Sequence, residues 1–269
     1  MKKTLLFALA AVFAASHVTA QDWAKPRLEK SPRHGEWVKV KHDSRELESF
    51  ITYPEVKDKA TAVVIIYDIH GLSDWARGIT DQLAEAGYIA ICPDLLSGMG
   101  PKGGGTKDYA PSDLSRAVFG LQSDQVVGDV SSVVDYVSKL PSCNGKVVVM
   151  GFCWGGGQAF NFATKNKDIK ATLSFYGNIP TDDAALARIN APVYGFYGQK
   201  DNRITGSVPK GIEQMKAAGK FYEPVIYDGA SHGFMYDAED TGSRDQNHAA
   251  NIKAREDAWK RLREILQKI

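Results

Sequence analysis

Short apolar runs and amphipathic stretches alternate along most of this chain. Glu36–Val40 and Leu47–Tyr53 alternate polar and apolar positions around a polar turn, the period of half-buried strands, and predict an antiparallel opening hairpin. Ala62–Tyr67 is continuously apolar, as a strand covered on both faces should be. A helix over about Ile79–Ala86, stopped by Gly87, leads to a second such run at Tyr88–Cys92. Val127, Val130, Val134 and Val137 recur at helical spacing and predict a helix ahead of the strand Lys146–Met150. Gln158–Ala163 is good helix material. Strands follow over Ala171–Tyr176, Val193–Tyr197 and Glu223–Tyr227, with helices around Leu186 and over Ile212–Ala218. The last amphipathic helix carries Ile252, Trp259, Leu262, Ile265 and Leu266. Strands alternating with helices imply a single doubly wound, mostly parallel sheet of the α/β class, opened by an antiparallel hairpin.

The N-terminus breaks this pattern. Lys2 and Lys3 precede an apolar stretch, Leu5–Ala15, and Val18-Thr19-Ala20 forms a small-residue cleavage site. That is the signature of a secretory signal peptide cut after Ala20, too short to span a bilayer, which needs roughly 20 apolar residues. The reading is therefore a leader over 1–20, an extension over 21–35 and one domain over 36–269, in a periplasmic or secreted protein. The roughly 250 residues that remain suit one sizeable core.

Charge then excludes two classes of partner. With 33 basic against 32 acidic residues and no basic amphipathic stretch, neither nucleic acid nor a membrane surface is indicated. No Cys-x-x-Cys or His-Glu-x-x-His occurs, so no metal or cofactor is expected. Gly98-Met99-Gly100-Pro101-Lys102-Gly103 spells a dinucleotide fingerprint, but it follows no strand and opens no helix. It reads as a flexible loop, a candidate cover for a pocket. Three cysteines in an oxidising compartment leave at least one thiol unpaired. Cys92 reads as core and Cys143, in the turn Pro141–Gly145, as more exposed and open to a disulfide.

The third cysteine lies where chemistry needs it. In Gly151-Phe152-Cys153-Trp154-Gly155 it sits between a buried strand and a helix, the setting of a nucleophile elbow. A thiol at a helix N-terminus is favoured as thiolate by the helix dipole. A buried packing role is the alternative for any lone cysteine, and the rest of the chain decides between them. In such a sheet, function gathers at the carboxyl ends of strands. Two later strands end in Gly198-Gln199-Lys200-Asp201 and Asp228-Gly229-Ala230-Ser231-His232, giving the order nucleophile, acid, histidine. Asp201 is preferred to Asp228, which is only four residues before His232. His70 falls near the site, and His248 reads as a solvated surface residue.

These residues bring out a resemblance. With Tyr67-Asp68-Ile69-His70-Gly71, Cys92-Pro93-Asp94-Leu95, Asn144-Gly145-Lys146-Val147, Gly151–Gly156 and Ser231-His232-Gly233-Phe234 in this order and spacing, the chain resembles the dienelactone hydrolases from roughly Val63 to Leu266. These are the cysteine branch of the α/β hydrolases. The resemblance implies an α/β-hydrolase fold and cofactor-free hydrolysis of a small ester or lactone by a monomer or weak homo-oligomer. Cys153 would attack, His232 would pair with it and move protons, and Asp201 would hold the imidazole. The backbone N–H groups of Ile69 and Trp154 would form the oxyanion hole.

At two positions the chain departs from the family. Asp68 stands where a glutamate contacts the resting thiol; one methylene shorter, it implies a longer or water-mediated contact. Of the arginines that hold a substrate carboxylate in the family, the one expected shortly after the histidine is Tyr236 here; Arg116 is the candidate for the other, and Arg244 is a further candidate near the site. A catalytically silent binding protein on the same scaffold, or a cysteine peptidase or amidase, are the alternative readings.

Overall fold

The computed structural model describes residues 24–269. The expected leader, and residues 21–23 of the extension, lie outside the described residues. Strands β1 (Gly35–His42) and β2 (Arg45–Thr52) form the predicted antiparallel hairpin, its tight turn placing Asp43 at φ 51°. The others are β3 (Ala60–Ile66), β4 (Ile89–Pro93), β5 (Cys143–Phe152), β6 (Ala171–Phe175), β7 (Val193–Gly198) and β8 (Tyr222–Tyr227). They make one sheet in the order β1-β2-β4-β3-β5-β6-β7-β8. β2 meets β4 antiparallel and every later pair is parallel. The continuous apolar runs are the central strands: all seven residues of β3 and all five of β4 are buried. Each large aliphatic side chain there contributes about 1.5–3 kcal/mol by leaving water. β8 forms the outer edge with Pro224 at its centre, a residue tolerated in sheets at edges because it lacks an N–H.

The helices are α1 (Lys25–Lys30), α2 (Asp74–Glu85), α3 (Pro111–Phe119), α4 (Ser123–Ser138), α5 (Trp154–Ala163), α6 (Asp183–Leu186), α7 (Asn202–Thr205), α8 (Val208–Ala217), α9 (Phe234–Asp237) and α10 (His248–Leu266). α2 starts five residues before the apolar periodicity does, because the Ser73 hydroxyl accepts a hydrogen bond from Ala76 N and caps it. α4 buries Val126, Val130, Val133, Val134 and Val137, so the predicted stripe is rotated and Val127 is only half-buried. No helix among the described residues is long and apolar enough to cross a membrane.

The extension is docked. Arg33 donates from Nε and Nη2 to the two oxygens of Asp81 on α2, at 2.8 and 2.7 Å, and the Ser31 hydroxyl donates to the same carboxylate. Burial pushes Asp81 toward its neutral form, and these bonds more than reverse it, lowering its pKa. On the other flank, buried Asp129 of α4 takes His42 at 2.6 Å and Arg45 at 3.3 Å, joining the helix to the β1–β2 hairpin.

Four expectations need correcting. Cys143 is buried, not exposed: as the first residue of β5 it is covered, and its Sγ accepts from Gly145 N at 3.4 Å. All three cysteines are free. His248 is not a solvated surface residue, because its Nδ1 lies 2.9 Å from Asp237 Oδ2 at the head of α10. Ile252 is 40 % exposed, and α10 instead turns Asn251 fully inward. The glycine-rich loop Gly98–Gly103, a candidate cover for the pocket, does not line the catalytic cleft. Gly104 N donates to Asp108 and Thr106 N to Asp94, while Leu72 N donates to Thr106 Oγ1, tying the loop to the segment after β3.

Candidate active site

The elbow is built by close main-chain contact. Cys153 links β5 to α5 at φ 54° and ψ −117°, a conformation costing about 1–3 kcal/mol that persists only where surroundings enforce it. Gly151 and Gly155 are part of that enforcement. A Cβ on Gly155 would lie 2.2 Å from the carbonyl oxygens of Ile66 and Tyr67, and one on Gly151 would lie 2.0 Å from Gly155 O. Without side chains there, the N-terminus of α5 presses against the end of β3. Cys153 N donates to Phe175 O at 3.0 Å, fixing the turn to β6 as well.

The three predicted residues converge. Asp201 follows β7 and caps α7, its carboxylate accepting from Ile204 N at 3.4 Å. Its Oδ2 lies 2.5 Å from His232 Nδ1, and His232 Nε2 lies 3.1 Å from Cys153 Sγ. Burial opposes charge on His232, but the bonds and charges of Asp201 and Cys153 outweigh it and raise its pKa from 6.5 to about 9. An imidazolium there places a charged hydrogen-bond donor 3.1 Å from the sulfur. The competing acid, Asp228, is exposed in the turn after β8 and takes no part.

Tyr176 supports the histidine from the end of β6. It sits at φ 40°, is almost fully buried, and meets His232 edge-to-face at 5.0 Å and Phe234 at 5.3 Å. Sequence reasoning passed over it because it looks like the last core residue of a strand. Trp75, by contrast, is the helix anchor it resembles, packed edge-on against Phe152 and Tyr236.

The predicted oxyanion residues lie on neighbouring strand ends. Trp154 opens α5 and Ile69 follows β3, with the Tyr67 ring stacked on Trp154 at 6.2 Å. Asp68, next to Ile69, is buried and committed to His70, accepting from its backbone N at 2.8 Å and lying 3.0 Å from its Nδ1. Its hydrogen bonds go there rather than to the thiol. His70 in turn stacks on Tyr236 at 5.6 Å.

A cleft of about 250 Å³ opens over Cys153. Phe119, Trp154, Ile179, Pro180 and Ile204 give it apolar walls. Arg203 stands on its rim, exposed, with no ion pair or hydrogen bond to its guanidinium among the described residues. Neither arginine expected from the sequence reaches the cleft: Arg116 is exposed on α3 and pairs with Asp113 at 3.7 Å, and Arg244 is exposed in the loop before α10. The missed signal was Asp201-Asn202-Arg203, where the acid's own cap starts a helical turn that carries the arginine to the rim. Among the described residues no His, Cys, Asp and Glu cluster has the arrangement of a metal site.

Comparison with known proteins bears directly on this geometry. The profile of the family described as "Dienelactone hydrolase family" matches residues 47–269. The chain belongs to that family. Within it, a provisionally named carboxymethylenebutenolidase of Escherichia coli (strain K12) is 31% identical over 214 residues, covering 75% of this chain and 74% of the relative. A second protein so named, from Saccharolobus solfataricus, is 27% identical over 263 residues, covering 84% and 96%. A solved structure of a provisionally named dienelactone hydrolase from Klebsiella pneumoniae superposes with TM-score 0.75 at 23% identity, covering 88% of this chain and 99% of that one. In this member of the family the residue at the turn between β5 and α5 is Cys153.

Proposed function

We propose that this dienelactone hydrolase family member hydrolyses small carboxylic esters or lactones through a thioester. The observation that carries this is the continuous line Asp201–His232–Cys153, with contacts of 2.5 and 3.1 Å at one end of the sheet. Cys153 Sγ attacks the carbonyl carbon, and the carbonyl π electrons move onto oxygen. As the C–O bond breaks, the His232 imidazolium gives its proton to the leaving alkoxide and a thioester remains. Neutral His232 then takes a proton from water; the hydroxide adds to the thioester, the carboxylic acid leaves, and Cys153 departs as thiolate beside imidazolium.

The N–H groups of Ile69 and Trp154 act as oxyanion donors in this reading, supported by the close seating of α5 on the end of β3. Loss of one such donor costs roughly 3 kcal/mol of barrier in enzymes generally. Asp201 keeps the imidazole in the useful tautomer. Asp68 is held by His70 and makes no hydrogen bond to Cys153. The small cleft favours a compact acyl group over a polypeptide, which would need a longer trough. Export through the leader, cleaved after Ala20, is part of the proposal.

The test is turnover of neutral lactones, aryl esters and anionic lactones by wild type and Cys153→Ala. Hydrolysis that disappears in the variant supports the reading; hydrolysis that persists in it, or folded wild type inert across the panel, defeats it.

A further inference from the structure

The cleft accounts for the groups that touch Cys153, but not for the most buried polar side chain of α10. Asn251 is 0 % exposed. Its Oδ1 accepts from Ser231 N at 2.8 Å, on the residue before His232. Its Nδ2 donates to Asp237 Oδ2 at 2.6 Å, at the end of α9, and to Ser231 Oγ at 2.9 Å, and lies 3.3 Å from Asp245 Oδ2. One amide therefore grips the chain on both sides of the histidine. Between the two grips lies Gly233 at φ 75°, a joint that makes the segment's path depend on its ends.

The surroundings explain why the residue is an asparagine. Ser231 Oγ donates to Asp245 Oδ2 at 2.6 Å, and Asp237 also takes His248 Nδ1 at 2.9 Å and the Ser243 hydroxyl. Two carboxylates thus converge on one NH₂ group while a peptide N–H needs an acceptor. Only a neutral side chain with an acceptor and two donors meets both demands. Aspartate would set a third carboxylate against Asp237 and Asp245, and alanine would leave Ser231 N–H without its partner in the interior.

We propose that Asn251 is a positioning residue for the reaction, holding His232 at its distance from Cys153 by clamping Ser231 and Asp237. It touches neither substrate nor reacting atoms. This rests on the hydrolase reading above for its effect on turnover, but not for its effect on the thiol. A displaced imidazolium stabilises the thiolate less, whatever the substrate.

Two readouts separate positioning from mere folding. The first is the rate at which iodoacetamide alkylates Cys153 at pH 7, which needs no ester. The second is the division of any turnover loss between kcat and KM. The reference for general destabilisation is Asp129→Asn, which loosens the contact of α4 with the hairpin away from the cleft. For Asn251→Ala we expect alkylation slowed about tenfold and kcat lowered about 10- to 100-fold with KM nearly unchanged, the scale of a misplacement near 1 Å. Asn251→Ser, which keeps a short donor and acceptor, should recover part of both, and is measured in its place if the alanine variant does not fold. Alkylation as fast as in Asp129→Asn, or a loss confined to KM, overturns the proposal. If alkylation slows while no ester is turned over even by wild type, the clamp stands and the substrate reading falls.

Discussion

Arg203 is a cation without a partner among the described residues, on the rim of a cleft whose other lining residues include the apolar Phe119, Ile179 and Ile204 and the neutral amides of Gln158, Asn161 and Asn178, so its charge is available to a ligand. A substrate carboxylate within reach would gain a charge-assisted hydrogen bond of about 1.5–3 kcal/mol, roughly tenfold or more in relative rate. Arg203→Gln should therefore lower kcat/KM for an anionic ester about tenfold relative to its neutral isostere, as read by paired steady-state kinetics at low salt. Equal losses on both would show that Arg203 does not read substrate charge. Cys153 and His232 were legible from sequence because an elbow needs glycines at fixed offsets and a histidine needs a strand end to stand on. Arg203 was not, because membership of the cleft depends on where the Asp201 cap starts α7.

At the level of elements, the extension is tied to α2 by polar bonds: Arg27 of α1 donates to Glu85 at 2.7 Å, and Ser31 and Arg33 just after α1 converge on Asp81. Arg33→Ala should cost about 2 kcal/mol locally and open the segment Lys25–Arg33 to trypsin while the sheet stays resistant; limited proteolysis would show it. Because the fold lowers the Asp81 pKa, the stabilisation is present above its ordinary value of 3.8 and is lost as pH falls through the lower folded value. The strands and long helices were readable from periodicity alone. The buried face of α10 was misjudged at Ile252 and Asn251 because an asparagine whose partners lie 14 and 20 residues away in sequence looks like surface. His248 and Cys143 were misread for a like reason: the fold brings Asp237 to the one and sets the other beside Ala60 of β3.

The whole molecule carries the titration of His232. Its pKa is raised to about 9, so its charged form adds stability that is fully present below 6.5 and is lost as pH rises through 9. The melting temperature should decline over that window in wild type and decline less in Asp201→Asn, measured by scanning calorimetry. A parallel decline in both would remove the Asp201–His232 pair as its source. The sheet's two boundaries also differ in kind. At β8, the proline in mid-strand interrupts the row of main-chain donors that an incoming strand would need. That side of the molecule is capped against templated growth, so crowding this protein at high concentration should not seed cross-β stacking from there, even with Phe221 and Ile226 facing solvent beside it.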